Sequence, residues 1–225
     1  MMKMNRYAIY YAPPEGAFAD AAAQWLGWDL ARGRAMPPAG VLDGQDITQT
    51  PRKYGFHATI KPPFRLADGV DLAQLDAATA GLAAGLPKVI LPALELVTLE
   101  GFLALIPAAP SADLQDLAAE VVRALDPYRA PLSPAEIARR RPELLTTRQR
   151  ELLGIYGYPY VMEQFQFHLT LSGALAADQT AQARAAAQSH FAGVVPQPFV
   201  IADLCLCGED DLGQFHLMHR YPLMA

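Results

Sequence analysis

The sequence predicts a duplicated fold in which each half of the chain runs strand, helix, strand, helix, strand. Two observations support this prediction. The pattern His-x-Thr-x occurs twice, at 57–60 and at 168–171, and each copy lies in an apolar run of residues that favour β-strands. The predicted elements around the two copies also follow the same order along the chain. We therefore expect two similar halves that each contribute one copy of the pattern.

The first half is predicted from its apolar runs, alanines and prolines. The apolar run at 6–12 indicates a strand that is stopped by two prolines, and the Ala-rich run at 17–30 indicates a helix with one buried face. The stretch at 31–50 is rich in Gly and Pro and predicts a functional or flexible connection. The other predicted elements are the first motif strand at 54–61, ended by Pro62 and Pro63, a helix at 71–86 and a strand at 89–99.

The second half repeats this order. It begins with a predicted strand at 103–106 and helix at 112–125, so that Tyr7 aligns with Leu103 at a shift of 96 residues. The two motifs lie 111 residues apart, which leaves 15 extra residues before the second motif. After that motif we expect a helix at 177–191 and strands at 198–201 and 214–221. One bilobed domain over 1–225 is predicted, with lobes at about 1–100 and 101–225 and a helical insertion at about 130–157.

The insertion combines helix-start signals with a concentration of positive charge. Ser133, Pro134 and Glu136 provide an N-cap, a proline at the first helical position and a capping-box partner, and a second start signal follows at 146–149. These signals predict a helical hairpin over 133–154. Its arginines form either a solvated surface, which we expect for most of them, or a lid that offers one or two arginines to an anionic ligand. They are Arg139, Arg140, Arg141, Arg148 and Arg150.

The charge and hydropathy of the chain argue against several classes of protein. A net charge of −5 over 225 residues disfavours binding to long stretches of nucleic acid, because such binding needs many cationic contacts. The sequence has no run of roughly twenty apolar residues that would predict a membrane span, and its N-terminal apolar run is too short for a signal peptide. Cys205 and Cys207 lie in one strand-like run and are expected to be buried thiols in a reducing compartment. We expect a cytoplasmic protein with no membrane partner.

Strand geometry predicts that the imidazole and the hydroxyl of each motif share one face. Because side chains alternate along a strand, His57 and Thr59 point to one side and their apolar neighbours point to the other. The same alternation places His168 beside Thr170, and it predicts that Lys61 faces the same side as His57. If the two halves pack about a pseudo-two-fold axis, both motifs face one shared cleft.

Two histidines and two threonines in one cleft are suited to the hydrolysis of a phosphodiester. One imidazole can accept a proton from the attacking water while the other donates a proton to the departing oxygen, since the usual histidine pKa of about 6.5 allows both forms near neutral pH. Each threonine hydroxyl can hold a non-bridging oxygen. No metal or other cofactor is expected, because two histidines without a carboxylate at ligand spacing make a poor zinc site.

Each of these residues alone has a more ordinary interpretation. A single histidine on a strand is more often structural, and threonine favours strands in any case. The joint occurrence at matching places of a repeat favours the functional interpretation. The other histidines lack this pattern: His190 lies near a predicted helix end, where an imidazole commonly acts as a cap, and His216 and His219 lie on opposite faces of the last predicted strand.

These motifs resemble those of the 2H phosphoesterase superfamily, which is defined by two His-x-Thr/Ser-x motifs in a duplicated fold. The resemblance covers nearly the whole chain. The strings RKYGFHATIKPPF at 52–64, GYPY at 157–160 and FHLTL at 167–171 are similar to one branch of the superfamily. That branch is the set of bacterial proteins associated with phosphonate metabolism.

The resemblance implies an α+β fold with two antiparallel sheets that face a central cleft, and metal-independent hydrolysis of a phosphodiester, often a cyclic one. Which histidine acts as the base stays open, because a pseudo-symmetric site can bind its substrate in either orientation. The residues implied by the resemblance are His57 and His168 as the general acid/base pair and Thr59 and Thr170 as phosphate binders. Strand parity and flanking position add Tyr54, Lys61 and Tyr160 as substrate-binding residues.

Three functions are consistent with these residues. The leading hypothesis is a cyclic phosphodiesterase that acts on a small molecule such as a ribose or nucleoside cyclic phosphate. The second is an enzyme that processes RNA ends bearing a 2′,3′-cyclic phosphate, which the acidic balance disfavours and the arginine-rich insertion favours. The third is a module that binds a nucleotide without turnover, which the two complete motifs disfavour.

Overall fold

The computed structural model describes residues 4–42 and 45–224. Within these residues the strands are β1 (Arg6–Tyr11), β2 (Trp28–Asp29), β3 (Arg34–Ala35), β4 (Val41–Leu42), β5 (Gln45–Asp46), β6 (Ala58–Phe64), β7 (Val89–Leu91), β8 (Leu94–Leu99), β9 (Phe102–Pro107), β10 (Leu169–Thr170), β11 (Phe199–Ile201), β12 (Asp203–Glu209) and β13 (Phe215–Pro222). The α-helices are α1 (Ala17–Leu26), α2 (Gln49–Arg52), α3 (Leu72–Ala83), α4 (Ala112–Ala124), α5 (Pro134–Arg139), α6 (Thr147–Tyr156) and α7 (Ala177–His190).

Two antiparallel sheets form the body of the fold. The larger sheet has the strand order β13-β12-β1-β6, and the smaller sheet has the order β10-β9-β8. These sheets and the helices between their strands confirm the α+β class. The predicted boundary near residue 100 lies in the turn between β8 and β9, within the smaller sheet. Each half of the sequence therefore gives strands to both sheets, and a division at residue 100 does not separate them.

The order of the elements shows the predicted repeat. The series β1, α1, β6, α3, β7, β8 is followed by the equivalent series β9, α4, β10, α7, β11, β12. The equivalent strands β7 and β11 pair antiparallel, with Ile90 opposite Val200, as a pseudo-two-fold axis between the halves requires. Before its motif the first half has two short strand pairs, β2–β3 and β4–β5, whereas the second half has helices α5 and α6.

The helix ends follow local sequence signals. The predicted helix at 17–30 is too long, because Gly27 adopts a left-handed conformation with φ 79° and its N–H caps α1 by donating to the carbonyl of Ala23. Capping boxes start α5 and α6, as their start signals predict. The longest helix, α7, has 14 residues, and no helix in residues 4–42 and 45–224 is long and apolar enough to span a lipid bilayer.

Strand β6, which follows His57, departs from regular alternation just after the motif. Between Thr59 and Lys61, two steps along β6 correspond to one step along its partner β1. Such a bulge resets the face on which the following side chains lie. The strand also continues through Pro62 and Pro63 to Phe64, although the sequence predicts that it ends at these prolines. It lies at the edge of its sheet, where residues without an N–H donor are tolerated.

One apolar core connects the two sheets. It contains Ala58 and Ile60 from the first motif strand and Leu169 and Leu171 from the second. The alternation that the sequence predicts across both motifs is confirmed at these positions. Burial of an isoleucine or leucine side chain such as Ile60, Leu169 or Leu171 contributes about 1.5–3 kcal/mol. The core therefore fixes the strands from behind and leaves the histidines and threonines on the opposite face.

Candidate functional site

Both motifs line one cleft between the two sheets. Thr59 and His168 line its larger compartment, which has a volume of about 650 Å³, and His57 and Thr170 line an adjoining compartment of about 280 Å³. The ring of Phe102, at the start of β9, lines both compartments. Each compartment thus combines a histidine of one motif with a threonine of the other. The four residues predicted to be catalytic are together, and their catalytic roles stay predictions.

The two imidazoles are held in the same way. Nδ1 of His57 lies 3.0 Å from the carbonyl oxygen of Gly55, and Nδ1 of His168 lies 2.8 Å from the carbonyl oxygen of Gln166. A carbonyl oxygen can only accept, so both Nδ1 atoms carry and donate a proton. Nε2 of each ring is therefore the atom that can exchange protons with a ligand. Gly55 has φ +66°, and a Cβ at this position would lie 2.8 Å from the side chain of Leu30.

His57 is enclosed by its neighbours. Tyr10 stacks on its imidazole with ring centres 3.7 Å apart, and Nε2 of His57 lies 3.1 Å from Oγ1 of Thr59. Burial lowers the pKa of His57 to about 4; the hydrogen bond to Gly55 opposes this shift, and charge on His168 adds to it. His57 is therefore neutral at neutral pH, and its Nε2 accepts the hydroxyl proton of Thr59.

His168 has a more open environment. Its ring lies at a tilt to Phe102, with ring centres 5.9 Å apart, in place of the close stack on His57. The segment that follows β10 is held to β9 by Ser172. The Ser172 hydroxyl accepts a hydrogen bond from the N–H of Leu103 at 2.9 Å and donates one to the carbonyl of Gly173 at 2.8 Å. The two copies of the motif thus have the same backbone support and different surroundings.

Lys61 does not face the cleft, contrary to the prediction from strand parity. Its ammonium is buried, 3.2 Å from the carboxylate of Asp126 and 3.2 Å from the carbonyl oxygen of Val122. The bulge after Thr59 is the reason, because it resets the alternation on which the prediction depended. Burial lowers the pKa of Lys61 to about 8, and Asp126 opposes this shift. Lys61 therefore anchors β6 to the end of α4 and lines neither compartment of the cleft.

The two tyrosines predicted to bind substrate both lie at the cleft. Tyr54 lines the smaller compartment, with its ring centre 6.2 Å from that of His57. Tyr160 lines the larger compartment and meets Tyr158 edge to face, with ring centres 5.6 Å apart. Tyr54 and Tyr160 are exposed and therefore accessible to a ligand. Their role in substrate binding stays a prediction.

The larger compartment has a polar wall that the sequence did not predict. Four glutamines from α4, α6 and the segment before the second motif line it together with Tyr158. Neither compartment is lined by lysine or arginine from the described part of the chain, and Glu100 and Glu163 bring negative charge to the larger one. Gln115 and Gln149 lie far from both motifs in sequence, and no local pattern marks them, whereas Gln166 lies two residues before His168 and shares its strand parity. The glutamines are Gln115, Gln149, Gln164 and Gln166.

The sequence predicts no metal site. Among residues 4–42 and 45–224 no group of three or more His, Cys, Asp or Glu side chains is arranged to hold a metal ion. The thiols of Cys205 and Cys207 are both buried in β12, as predicted, and burial raises the pKa of each. They belong to the interior of the larger sheet and not to the cleft.

Comparison with solved structures and curated proteins gives distant and closer similarities. A crystal structure of a phosphoesterase is 15% identical, with a TM-score of 0.44 over 99% of this chain and 100% of that chain. Escherichia coli LigT complexed with 3′-AMP is 14% identical, with a TM-score of 0.45 over 99% of this chain and 100% of LigT. The curated relatives include two proteins called ribose 1,5-bisphosphate phosphokinase PhnN. That of Janthinobacterium sp. (strain Marseille) is 35% identical over 217 residues, and that of Laribacter hongkongensis (strain HLHK9) is 35% identical over 214 residues.

The alignments with the two curated relatives include 92% of this chain and 48% and 49% of the relatives. The chain therefore spans about half the length of these relatives. A family profile described as protein of unknown function (DUF1045) matches residues 59–216, which is more than half of the chain. The chain belongs to the DUF1045 family.

Proposed function

We propose that the protein is a phosphodiesterase that hydrolyses a small cyclic phosphodiester by two-histidine acid/base catalysis. The observation that supports this most strongly is the arrangement of the motifs, since each compartment of the cleft combines an imidazole of one motif with a hydroxyl of the other. An in-line displacement at phosphorus needs a proton acceptor for the attacking water and a proton donor for the departing oxygen. Two imidazoles that line adjoining compartments of one cleft can meet both needs.

In this proposal His57 is the general base and His168 is the general acid. Positive charge on one imidazole disfavours positive charge on its neighbour. Burial lowers the pKa of His57, so His57 is the neutral one of the two. With its Nδ1 proton donated to Gly55, a neutral His57 has its lone pair on Nε2. His168 donates from Nε2 while its Nδ1 proton stays with Gln166.

The proposed step forms one phosphorus–oxygen bond and breaks another. Water attacks phosphorus and gives a proton to Nε2 of His57, the bond between phosphorus and the departing ring oxygen breaks, and that oxygen takes a proton from Nε2 of His168. The product is a phosphomonoester with a free hydroxyl. Proton exchange with solvent then restores the neutral and charged imidazoles.

Thr59 and Thr170 would hold the non-bridging oxygens of the phosphate. In the free protein Thr59 donates its hydroxyl proton to Nε2 of His57. A phosphate oxygen can take over this hydrogen bond and leave Nε2 available to the attacking water. Once they donate to the phosphate, the hydroxyls stabilise the negative charge that develops on these oxygens.

The relatives' name indicates a substrate to test first. Hydrolysis of ribose 5-phosphate 1,2-cyclic phosphate at the bond to O2 gives ribose 1,5-bisphosphate, the compound that appears in that name. The name belongs to proteins about twice as long, so the sugar substrate and a role in phosphonate metabolism are part of the proposal. Processing of RNA ends is the second candidate, which the net charge of −5 disfavours because nucleic acids bind through many cationic contacts.

The test is turnover of a substrate panel followed by ³¹P NMR in excess chelator. The panel contains ribose 1,2-cyclic phosphate with and without a 5-phosphate, nucleoside 2′,3′-cyclic phosphates, a linear diester and a short RNA with a cyclic end. We expect at least one small cyclic diester to be opened. His57→Ala and His168→Ala should each lower kcat by roughly 10²–10⁴-fold.

The matched control is His219→Ala, because His219 is exposed and bonds to Asp76 on α3, away from the cleft. It should retain parental kcat. Parental rates in both cleft variants would show that the assigned pair is wrong. Loss of all activity in chelator would exclude the metal-independent step, and turnover of the RNA alone would favour the second candidate.

A further inference from the structure

Most of the arginines in the helical insertion are occupied by neighbours on the insertion or beside it. Arg141 pairs with Glu143 at 3.6 Å, and Arg150 donates to the carbonyl of Leu145 at 2.6 Å. Arg148 pairs with Glu151 at 3.1 Å and with Glu163. These three therefore belong to the solvated surface. Arg139 and Arg140 are left, and for neither does the described part of the chain show a carboxylate partner.

Arg140 differs from the other arginines in its position. It follows the last residue of α5, is only partly exposed, and lies over the ring of Tyr158 with Cζ 4.8 Å from the ring centre. Tyr158 lines the larger compartment of the cleft, beside Tyr160. This contact is a cation–π interaction. In the part of the chain that the structure describes, no residue accepts a hydrogen bond from the Arg140 guanidinium, so its N–H groups stay available to a ligand.

We propose that Arg140 is a specificity residue that binds a second phosphate of the substrate, one that is not hydrolysed. The inference rests on the proposed function of the cleft. Lysine and arginine are absent from the described lining of both compartments, so a substrate with two phosphate groups lacks a cationic partner there for the second one. A guanidinium offers a planar pair of donors that matches a phosphate. Stacking on Tyr158 holds these donors in place before the substrate binds.

This arrangement predicts a substrate class. The cyclic phosphate reacts between the two histidines, the sugar lies along the glutamines and tyrosines of the larger compartment, and a terminal phosphate reaches the insertion. Glutamine and tyrosine side chains on that wall can bond to the hydroxyl groups of a sugar without a charge. A sugar that carries both a cyclic phosphodiester and a phosphomonoester fits this description better than a diester with one phosphate.

The experiment compares substrates that differ by one phosphate. Ribose 1,2-cyclic phosphate and its 5-phosphate are hydrolysed by the parent chain, by Arg140→Gln and by Arg140→Lys. Loss of a hydrogen bond to a charged group should raise KM for the 5-phosphate roughly 10- to 100-fold in Arg140→Gln. KM for the substrate without the 5-phosphate and kcat for both should stay unchanged. Arg140→Lys should recover part of the affinity, because it keeps the charge and loses the paired donors.

Arg139→Gln is the matched control, since it removes the same charge from the preceding, exposed position. It should leave all parameters at parental values. Equal effects of Arg139→Gln and Arg140→Gln would show a general effect of charge and overturn the proposal. The proposal would also be overturned if the ratio of KM for ribose 1,2-cyclic phosphate to KM for its 5-phosphate were the same in Arg140→Gln as in the parent chain.

A binding measurement separates this proposal from the catalytic one. Calorimetry compares the binding of ribose 5-phosphate and of ribose to the parent chain and to Arg140→Gln. Tighter binding of ribose 5-phosphate that Arg140→Gln abolishes would support the role of Arg140 even if the parent chain opened no cyclic diester. Equal binding by both proteins, or no binding to the parent chain, would overturn it. Circular dichroism spectra of Arg139→Gln and Arg140→Gln that match the spectrum of the parent chain show that both variants are folded.

Discussion

The two copies of the motif are alike in their backbone and differ in what surrounds the imidazole. In both, Nδ1 donates to the carbonyl of the residue two positions earlier. In the first copy Tyr10 covers the ring of His57 at 3.7 Å, whereas in the second Phe102 lies 5.9 Å from the ring of His168. A repeated strand therefore supplies the same group twice, and burial lowers the pKa of His57. In the proposed mechanism this difference in surroundings gives the two histidines different proton-transfer roles.

The anchors behind the two motifs differ in the same manner. Four residues after each histidine lies a fully buried polar side chain, Lys61 in the first copy and Ser172 in the second. Lys61 reaches a carboxylate on another element, and Ser172 bonds to the backbone beside it. The first motif is thereby tied by an ion pair to the end of α4, and the second by neutral hydrogen bonds to β9.

Among the variants that compare the two copies of the motif, the threonine variants should have the largest effect on kcat. Thr59→Val and Thr170→Val replace each hydroxyl with a methyl group of similar shape, and each should lower kcat by about 10²–10³-fold because a donor to the charged oxygens is lost. Thr59→Val should also alter the pH dependence, since only Thr59 contacts Nε2 of its own histidine. Steady-state kinetics across pH measure both effects.

The serine substitutions are the matched controls for these two variants. Thr59→Ser and Thr170→Ser keep the hydroxyl and should retain most of kcat. If the valine and serine variants at one position have equal rates, the hydroxyl at that position does not stabilise the reaction. Equal changes in pH dependence for both valine variants would remove the difference between the two copies.

The next effect is on stability and compares the two anchors. Asp126→Asn leaves the buried ammonium of Lys61 and the guanidinium of Arg129 without their shared carboxylate, and it should lower the free energy of unfolding by about 3 kcal/mol. Ser172→Ala leaves the N–H of Leu103 without its acceptor and should cost about 1 kcal/mol. Urea unfolding measures both, with equal m-values showing that the unfolded states are comparable.

Asp116→Asn on the exposed face of α4 is the control for the loss of a carboxylate, and it should change stability little. A larger loss in Ser172→Ala than in Asp126→Asn would reverse the comparison. It would show that Lys61 tolerates the loss of its carboxylate by releasing its proton, because burial already lowers its pKa to about 8.

The sequence predicted the features that depend on local periodicity. The motif strands, their apolar backs, the capping boxes and the order of the repeat all follow from residues that are close in the chain. The orientation of Lys61 was wrong because a bulge is set by pairing with β1, which strand parity alone does not contain. Tyr10, Gln115 and Gln149 were missed for a similar reason, since they reach the site only through the packing of distant elements.

The smallest expected effect is a shift in pH dependence that separates the two histidines. The acidic limb of kcat/KM reports the base of the free enzyme. If His57 is that base, activity persists down to about pH 4, because only below this value does the buried imidazole take up a proton and lose Nε2 as an acceptor. Tyr10→Leu admits water to the ring, which raises the pKa of His57 towards 6.5 and moves the limb to higher pH.

Tyr10→Phe keeps the stacked ring and should leave the limb near its parental position, which separates the stack from the hydroxyl of Tyr10. Phe102→Leu is the equivalent change beside His168, and it should not move the acidic limb if His168 is the acid. NMR titration of the two imidazoles assigns each shift to its residue. The contrary result is an acidic limb near pH 6.5 that Tyr10→Leu does not move. This result would transfer the role of base to His168, because His57, with its lowered pKa, would stay neutral over the pH range in which activity changes.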